Sequence, residues 1–220
     1  MSDARTQPAI DAPGSFVRSE VFEQICDNIA DNGIAVSSDF LPAALVAALA
    51  DDARRRDTAG AFRAAGIGSG AARVLDADMR GDRILWLDTG DVEPAVCAAC
   101  VALDALRATL NATLFLGLVS FEAHYAIYPP GAGYRRHRDR FLDDDARVLS
   151  CVLYLNADWN ALQGGALRIY CDGGIKRDIL PLAGTLVCFR SERFDHEVLP
   201  STRERLSLTG WFKRRGTQSA

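Results

Sequence analysis

The spacing of apolar residues changes once along the chain, from a helical repeat to a strand repeat. Up to about Leu116 the apolar positions favour helices. The first helix is predicted between Ser19, a suitable N-cap, and Gly33, a suitable end, and its apolar positions are Val21, Phe22, Ile25 and Ile29. Further helices are predicted from Pro42 toward Arg56 and over residues 92–110. Between them, residues 59–72 are rich in glycine and alanine and predict a mobile loop, whose function stays open.

From about residue 119 the pattern becomes short strands separated by glycine-containing turns. The predicted strands cover residues 121–128, 148–155, 166–170, 175–179, 185–189 and 205–212. Six or more strands of this size suit a double-sheet jelly roll. The expectation is an α+β fold in one domain over residues 1–220, with a helical region of about residues 15–117 and a strand region of about residues 118–213.

Composition favours an enzyme over a nucleic-acid-binding protein. The 220 residues are 49% hydrophobic, and 25 Lys+Arg stand against 29 Asp+Glu, giving a net charge of −4. No basic stripe with interleaved aromatic residues is present, so no nucleic-acid partner is expected. The apolar stretches read as too short or too interrupted to cross a bilayer, and the polar start lacks a signal-peptide core. We therefore expect no membrane association and a cytoplasmic location, where the six cysteines would stay reduced.

A metal-binding pattern stands in the second half of the chain. In an extended segment residues i and i+2 project to the same side, so His137 and Asp139 can converge on one ion. A distant strand can add His196. Two imidazoles and one carboxylate can fill one face of an octahedral iron(II) ion and leave adjacent positions free. Because His-x-Asp also occurs by chance in many proteins, this motif needs support from the rest of the pattern.

The last predicted strand has one polar and one apolar face. Its apolar face carries Leu206, Leu208 and Phe212, and its polar face carries Arg205, Ser207, Thr209 and Trp211. The polar face either meets solvent or lines a polar cavity. An arginine inside a barrel would need an anion, and a dicarboxylate whose far end pairs with the guanidinium would satisfy it.

Six segments, in order, carry a resemblance to a known family. They are RGDRILW (residues 80–86), YPPG (128–131), YRRHRD (134–139), YLNADW (154–159), GGALRI (164–169) and HEV (196–198). Together they resemble the iron(II)/2-oxoglutarate prolyl 4-hydroxylases of the oxygen-sensing type, especially their bacterial branch. The similarity covers about residues 74–212.

The resemblance implies a double-stranded β-helix braced by N-terminal helices. It implies an Fe(II) centre whose ligands are His137, Asp139 and His196, with 2-oxoglutarate and O₂ as cosubstrates. It also implies that Arg205 binds the 5-carboxylate of 2-oxoglutarate with help from Tyr154 and Thr209, and that Tyr128 lines the same pocket. No catalytic residue beyond the metal ligands is expected.

The resemblance further places Arg80 and Asp82 in a loop that covers a peptide substrate, where Asp82 is expected to pair with Arg147. The alternative is a strand entry with exposed charges. Trp211 is expected to wall the pocket, whereas Trp86 is expected to pack in the core.

Two further features have open interpretations. His124 is expected to be structural, although metal binding is an alternative. The group of Arg135, Arg136, Arg138 and Arg140 is either solvated or draws an anionic cosubstrate or an acidic substrate edge toward the site.

Three functions are compatible with these features. The first is hydroxylation of a prolyl residue in a cytoplasmic protein, with release of succinate and CO₂; the bacterial branch suggests a translation elongation factor as the partner. The second is hydroxylation of a free amino acid or other small molecule on the same scaffold. The loop of Arg80 and Asp82 favours the first, because covering a peptide needs such a flap. A non-catalytic metal-binding β-roll is disfavoured, because all three ligands and Arg205 are present together.

Overall fold

In the computed structural model the protein is described over residues 17, 19–66, 76, 78–88, 90–139 and 146–216. Three helices in this part of the chain lie on one side of a larger β-sheet: α1 (Ser19–Asn32), α2 (Ala43–Thr58) and α3 (Pro94–Leu114). Gly33 follows α1 with a positive φ of 75°, a conformation that glycine adopts without strain and that ends a helix.

Eleven strands of the described residues form two antiparallel sheets. In chain order they are β1 (Ile34–Ser37), β2 (Arg63–Ala64), β3 (Arg83–Trp86), β4 (Leu118–Tyr128), β5 (Tyr134–His137), β6 (Arg147–Tyr154), β7 (Leu167–Tyr170), β8 (Lys176–Ile179), β9 (Leu186–Arg190), β10 (Asp195–Val198) and β11 (Arg205–Arg214). The larger sheet has the order β1-β9-β6-β11-β4-β3-β2, and the smaller has the order β5-β10-β7-β8.

The two faces of the larger sheet pack against different parts of the protein, because side chains alternate between the faces along a strand. On β11, Leu206, Leu208 and Phe212 belong to the apolar cluster shared with the helices. A second apolar cluster joins the opposite face to the smaller sheet through residues such as Val152, Phe189, Leu167 and Ile169. The fold is therefore a jelly-roll sandwich braced by helices, and the predicted fold class is confirmed.

Helix α3 corrects one sequence-based expectation. It is 21 residues long and, by length and composition alone, is apolar enough to cross a bilayer, so the expectation that no such stretch exists is wrong. Its buried side chains, Ala95, Val96, Ala99, Ala102, Leu103, Leu106 and Leu110, belong to the cluster beneath the larger sheet. The apolar character of α3 is thus used in packing against α1, α2 and β4.

The six predicted strands are present with ends shifted by a few residues. Five strands are not among the six predicted from periodicity. Two of these, β5 and β10, carry the candidate histidine ligands, for which the metal-binding pattern required an extended segment at His137 and a strand at His196. The others, β1 to β3, arise from the predicted helical region and join the larger sheet. The division into a helical and a strand region therefore stays a prediction. Within the predicted loop, residues 63–64 form β2, and residues 67–72 lie outside the described residues.

Candidate active site

Three potential metal ligands meet between the two sheets. His137 ends β5, His196 lies on β10, and these two residues are direct partners across the antiparallel pair. Asp139 follows two residues after His137, with Oδ1 3.6 Å from Nε2 of His137 and Oδ2 3.6 Å from Nε2 of His196. The ligand atoms of all three residues lie within 4.8 Å of one another. One ion can therefore be reached by all of them.

Backbone carbonyls orient both imidazoles for metal binding. Nδ1 of His137 lies 2.7 Å from the carbonyl oxygen of Arg135, and Nδ1 of His196 lies 3.4 Å from that of Phe194. A carbonyl can only accept, so Nδ1 is assigned the proton and Nε2 keeps the lone pair. Burial lowers the pKa of His196 to about 4, against a smaller opposing effect of Asp139. This imidazole is thus neutral at pH 7, as a metal ligand must be.

Asp139 is held as a carboxylate. Burial by itself would raise its pKa, but attraction to His196, together with contacts to His137 and Ser150, holds the pKa well below its usual range. Ser150 donates from Oγ to Oδ2 at 2.7 Å, and Oγ of Ser191 lies 2.9 Å from the same hydroxyl. Both serines are buried. They fix the orientation of the carboxylate from the side away from solvent.

A cavity of about 460 Å³ opens beside these ligands and is lined by residues of both sheets. At its inner end Arg205 is only 2% exposed. Its Nε donates to the carbonyl oxygen of Gly165 at 2.9 Å, and its guanidinium lies about 5 Å from the ring centres of Tyr128 and Tyr154. Among the described residues, no carboxylate is within ion-pair distance of Arg205. A buried charge without a counter-ion is costly, so the site favours an anionic ligand.

The hydroxyl of Tyr154 gives a second indication of a missing ligand. This oxygen is buried and makes no hydrogen bond of good geometry with the described residues; its polar neighbour is the guanidinium of Arg205, which would bind the same anion. Burial raises the pKa of the phenol, so it stays protonated and can donate to an anion. Thr209 and Tyr128 line the same cavity, and the Thr209 hydroxyl lies 3.1 Å from that of Ser207. These groups fit the carboxylate end of 2-oxoglutarate, and the His-Asp-His set fits Fe(II).

The expected pairing of Asp82 with Arg147 is wrong. Asp82 instead accepts hydrogen bonds from Arg80, at 2.7 Å from Nε and 3.0 Å from Nη2, and its side chain is fully buried. Arg80 lines the cavity, whereas Asp82 lies behind it. Arg147 binds Glu122 at 3.0 Å and stacks on Trp211, with its guanidinium carbon 3.6 Å from the ring centre. The alternative of exposed charges also fails for Asp82, because its carboxylate is buried.

Trp86 does not pack in the core, contrary to expectation. It is 45% exposed and lines the cavity together with Trp211 and His124. The ring of His124 lies 4.8 Å from that of Trp86 and 5.5 Å from that of Trp211. The reason is strand register: Trp86 pairs with His124 across β3 and β4, which places both on the cavity face.

Several residues that line the cavity were not identified from the sequence. Tyr134 stacks on His137 at 3.5 Å between ring centres, and Ser150 binds Asp139. Glu122 and Lys213 lie at the cavity wall, 3.0 Å apart. The alternation of side chains along a strand could have identified Ser150. It stands four residues before Tyr154 on β6 and therefore lies on the same face of the sheet. Arg140, from the predicted arginine group, lies outside the described residues.

Comparison with known proteins agrees with this geometry. Residues 123–213 match the model of the 2OG-Fe(II) oxygenase superfamily. Prolyl hydroxylase EGLN3 of Mus musculus is 34% identical over 166 residues, which cover 70% of this chain and 66% of that protein. The chain thus spans just under two thirds of this relative.

Two solved structures are similar over most of the chain. A Pseudomonas putida prolyl-4-hydroxylase has a TM-score of 0.81 and 49% identity, covering 89% of this chain and 100% of that one. A prolyl hydroxylase from Trichoplax adhaerens, in complex with a hypoxia-inducible factor oxygen degradation domain peptide, has a TM-score of 0.80 and 26% identity, covering 88% and 89%. The chain belongs to the prolyl hydroxylase family of the 2OG-Fe(II) oxygenase superfamily.

Proposed function

We propose that the protein hydroxylates a prolyl residue of a cytoplasmic protein, using Fe(II), 2-oxoglutarate and O₂. The observation that carries this proposal is the meeting of His137, Asp139 and His196 beside a cavity whose inner end holds the buried Arg205, which has no carboxylate partner among the described residues. Family membership supports the same chemistry.

The residues of the cavity have distinct roles in this proposal. His137, Asp139 and His196 hold the iron. Arg205 binds the 5-carboxylate of 2-oxoglutarate, Tyr154 donates a hydrogen bond to it, and Thr209 and Tyr128 shape the surrounding pocket. When bound, the iron and its cosubstrates supply the oxidation, in which one oxygen atom of O₂ enters succinate, the other enters the product, and CO₂ leaves. The chain itself orients the reactants, and close placement accounts for its contribution to the rate.

The substrate side of the cavity is formed by Arg80, Arg147, Trp211 and Trp86. Arg80 faces the cavity because Asp82 holds its guanidinium in a forked pair. In our proposal Asp82 acts on the substrate through Arg80 and does not touch it. Trp86, 45% exposed, offers a flat apolar face against which a proline ring can pack, whereas Trp211 is buried beneath Arg147 and supports the wall from behind.

A protein substrate is favoured over a free amino acid because several long side chains, among them Arg80, Arg147 and Trp86, line the cavity and can contact residues on either side of a proline. The Trichoplax adhaerens relative was solved in complex with a peptide, which supports a peptide substrate. A translation elongation factor is the partner that the resemblance to the bacterial branch suggests. A cytoplasmic location agrees with the six free cysteines.

The proposal is tested with the purified protein, Fe(II), 2-oxoglutarate and a lysate of a strain that lacks the protein. We expect one lysate protein to gain the mass of one oxygen atom on a proline, measured by peptide mass spectrometry, with matching release of succinate. Asp139→Ala is the control and is expected to abolish both signals. Oxygen incorporation into free proline, with none into any protein, would contradict the proposal and favour the small-molecule alternative.

A further inference from the structure

The outer wall of the cavity carries more positive than negative charge. Glu122 binds two cations at once, since Nε of Arg147 lies 3.0 Å from Oε1 and Nζ of Lys213 lies 3.0 Å from Oε2. All three residues line the cavity and are partly exposed. Both carboxylate oxygens are occupied, and among the described residues this group carries one positive charge more than negative.

A second group repeats this arrangement. Asp195 accepts from Nη2 of Arg136 at 2.7 Å and pairs with Nη2 of Arg138 at 2.8 Å. Arg138 lines the cavity, and both arginines are about half exposed. Here too, two cations share one carboxylate. Arg136 and Asp195 lie next to the cavity lining. In these two groups of described residues, three of whose four cations line the cavity, four cations therefore share two carboxylates, although the whole chain has a net charge of −4.

The cosubstrates of the proposed reaction do not consume this excess. A divalent ion bound to Asp139 keeps one positive charge, and Arg205 adds another. Together they balance the dianion 2-oxoglutarate. Arg80 is neutralised by Asp82. The excess positive charge that the described residues give these two outer groups can attract and orient an oppositely charged group that approaches the cavity from solvent.

We infer that the cavity mouth binds an acidic side chain lying next to the target proline, with Arg147 and Lys213 as its main contacts. This inference rests on the proposed function. Arg147 is already ordered by Glu122 and by stacking on Trp211, so little conformational entropy is lost when its free donors bind a carboxylate. A basic side chain would have to compete for Glu122 against two cations that already hold it.

The test uses three fluorescent peptides with the same central proline, flanked on both sides by Glu, by Gln or by Lys. Binding is measured by anisotropy to protein loaded with Mn(II) and 2-oxoglutarate without O₂. We expect the Glu peptide to bind up to about fivefold more tightly than the Gln peptide, the upper end of the range for a partly exposed charge contact. We expect the Lys peptide to bind most weakly, and the differences to shrink in high salt.

Variants assign the effect to this site. Lys213→Gln is expected to reduce the preference for the Glu peptide, and Glu122→Gln is expected to increase it. Lys213→Glu is expected to improve binding of the Lys peptide, a gain that misfolding cannot produce. Lys176→Gln removes one positive charge from β8, away from the residues lining the cavity, and is the matched control. It is expected to leave the preference unchanged.

Equal binding of the three peptides, tighter binding of the Lys peptide, or no binding of any of them would overturn the inference. The proposed function is scored separately, by the mass of the peptides after incubation with Fe(II), 2-oxoglutarate and air. Preferential binding of the Glu peptide without hydroxylation of any peptide would support the charge preference and count against the function. Hydroxylation of all three peptides with equal efficiency would support the proposed function and count against the charge preference.

Discussion

Ser150 donates a hydrogen bond to Oδ2 of Asp139 at 2.7 Å from a position on β6 that is itself in contact with Ser191. The bond fixes one oxygen of the carboxylate within the protein and leaves Oδ1 facing His137. Groups of this kind, which hold a ligand without touching the metal, contribute substantially to metal affinity.

We predict that Ser150→Ala weakens metal binding by about tenfold to 100-fold, because Asp139 loses its anchor. The measurement is a calorimetric titration of the purified protein with Mn(II). Ser120→Ala, at an exposed position of β4, is the control and should not alter affinity. Unchanged affinity in Ser150→Ala would show that the two imidazoles alone orient the site.

We predict opposite effects of Arg205→Met on ligand binding and on stability. Loss of a buried charged partner typically costs about 2–5 kcal/mol of binding free energy, so affinity for 2-oxoglutarate should fall by more than about 20-fold. In the ligand-free protein the same change removes a buried charge without a counter-ion among the described residues, so the free energy of unfolding should not fall. Isothermal titration and urea unfolding measure the two effects. Arg203→Met, on a partly exposed neighbour, should change neither; normal 2-oxoglutarate affinity in Arg205→Met would refute the assigned role.

We predict that Trp86→Ala damages substrate binding more than stability. Trp86 is 45% exposed on the cavity wall, whereas Trp159 is 7% exposed and donates from Nε1 to the carbonyl oxygen of Gly164. Trp159→Ala should therefore cost about 3–5 kcal/mol of unfolding free energy, the usual range for a buried aromatic side chain, and Trp86→Ala clearly less. Thermal and urea unfolding measure the stability of both variants, and the KM for a peptide substrate measures the loss of substrate binding in Trp86→Ala. A large loss of stability in Trp86→Ala would restore the core-packing interpretation.

We predict that His124 makes the metal-free protein sensitive to acid. Burial, reinforced by Arg80 and Arg147, lowers the pKa of this imidazole from 6.5 to about 3. Between these values the unfolded chain binds a proton that the folded protein does not, so stability falls as the pH drops below about 6.5, by up to about 1.4 kcal/mol per pH unit. Urea unfolding of the wild type and His124→Gln from pH 7 to pH 4.5 measures the difference. Parallel pH profiles would show that His124 has the same pKa in the folded and unfolded protein and would refute the prediction.

Most of the correct predictions from the sequence came from the alternation of polar and apolar residues and from the spacing of motifs. The polar and apolar faces of residues 205–212 follow from a period of two, and the structure confirms that Leu206 and Phe212 face the helices. The same reasoning could not find β5 and β10, since four-residue strands rich in charged residues have no apolar pattern. Their strand conformation is imposed by pairing with neighbours.

The amino-acid sequence by itself determined the type of fold, the set of ligand side chains and the presence of an arginine on a polar strand face, because these depend on local periodicity and residue chemistry. Only the tertiary structure decided which charges meet. Arg147 lies opposite Lys213 across β6 and β11, and Glu122 lies opposite Trp211 across β4 and β11, so Arg147 binds Glu122 and leaves Asp82 to Arg80. Such pairings depend on the register of strands that are distant in the chain, and ion pairs of similar strength can form with any carboxylate that the register brings within reach.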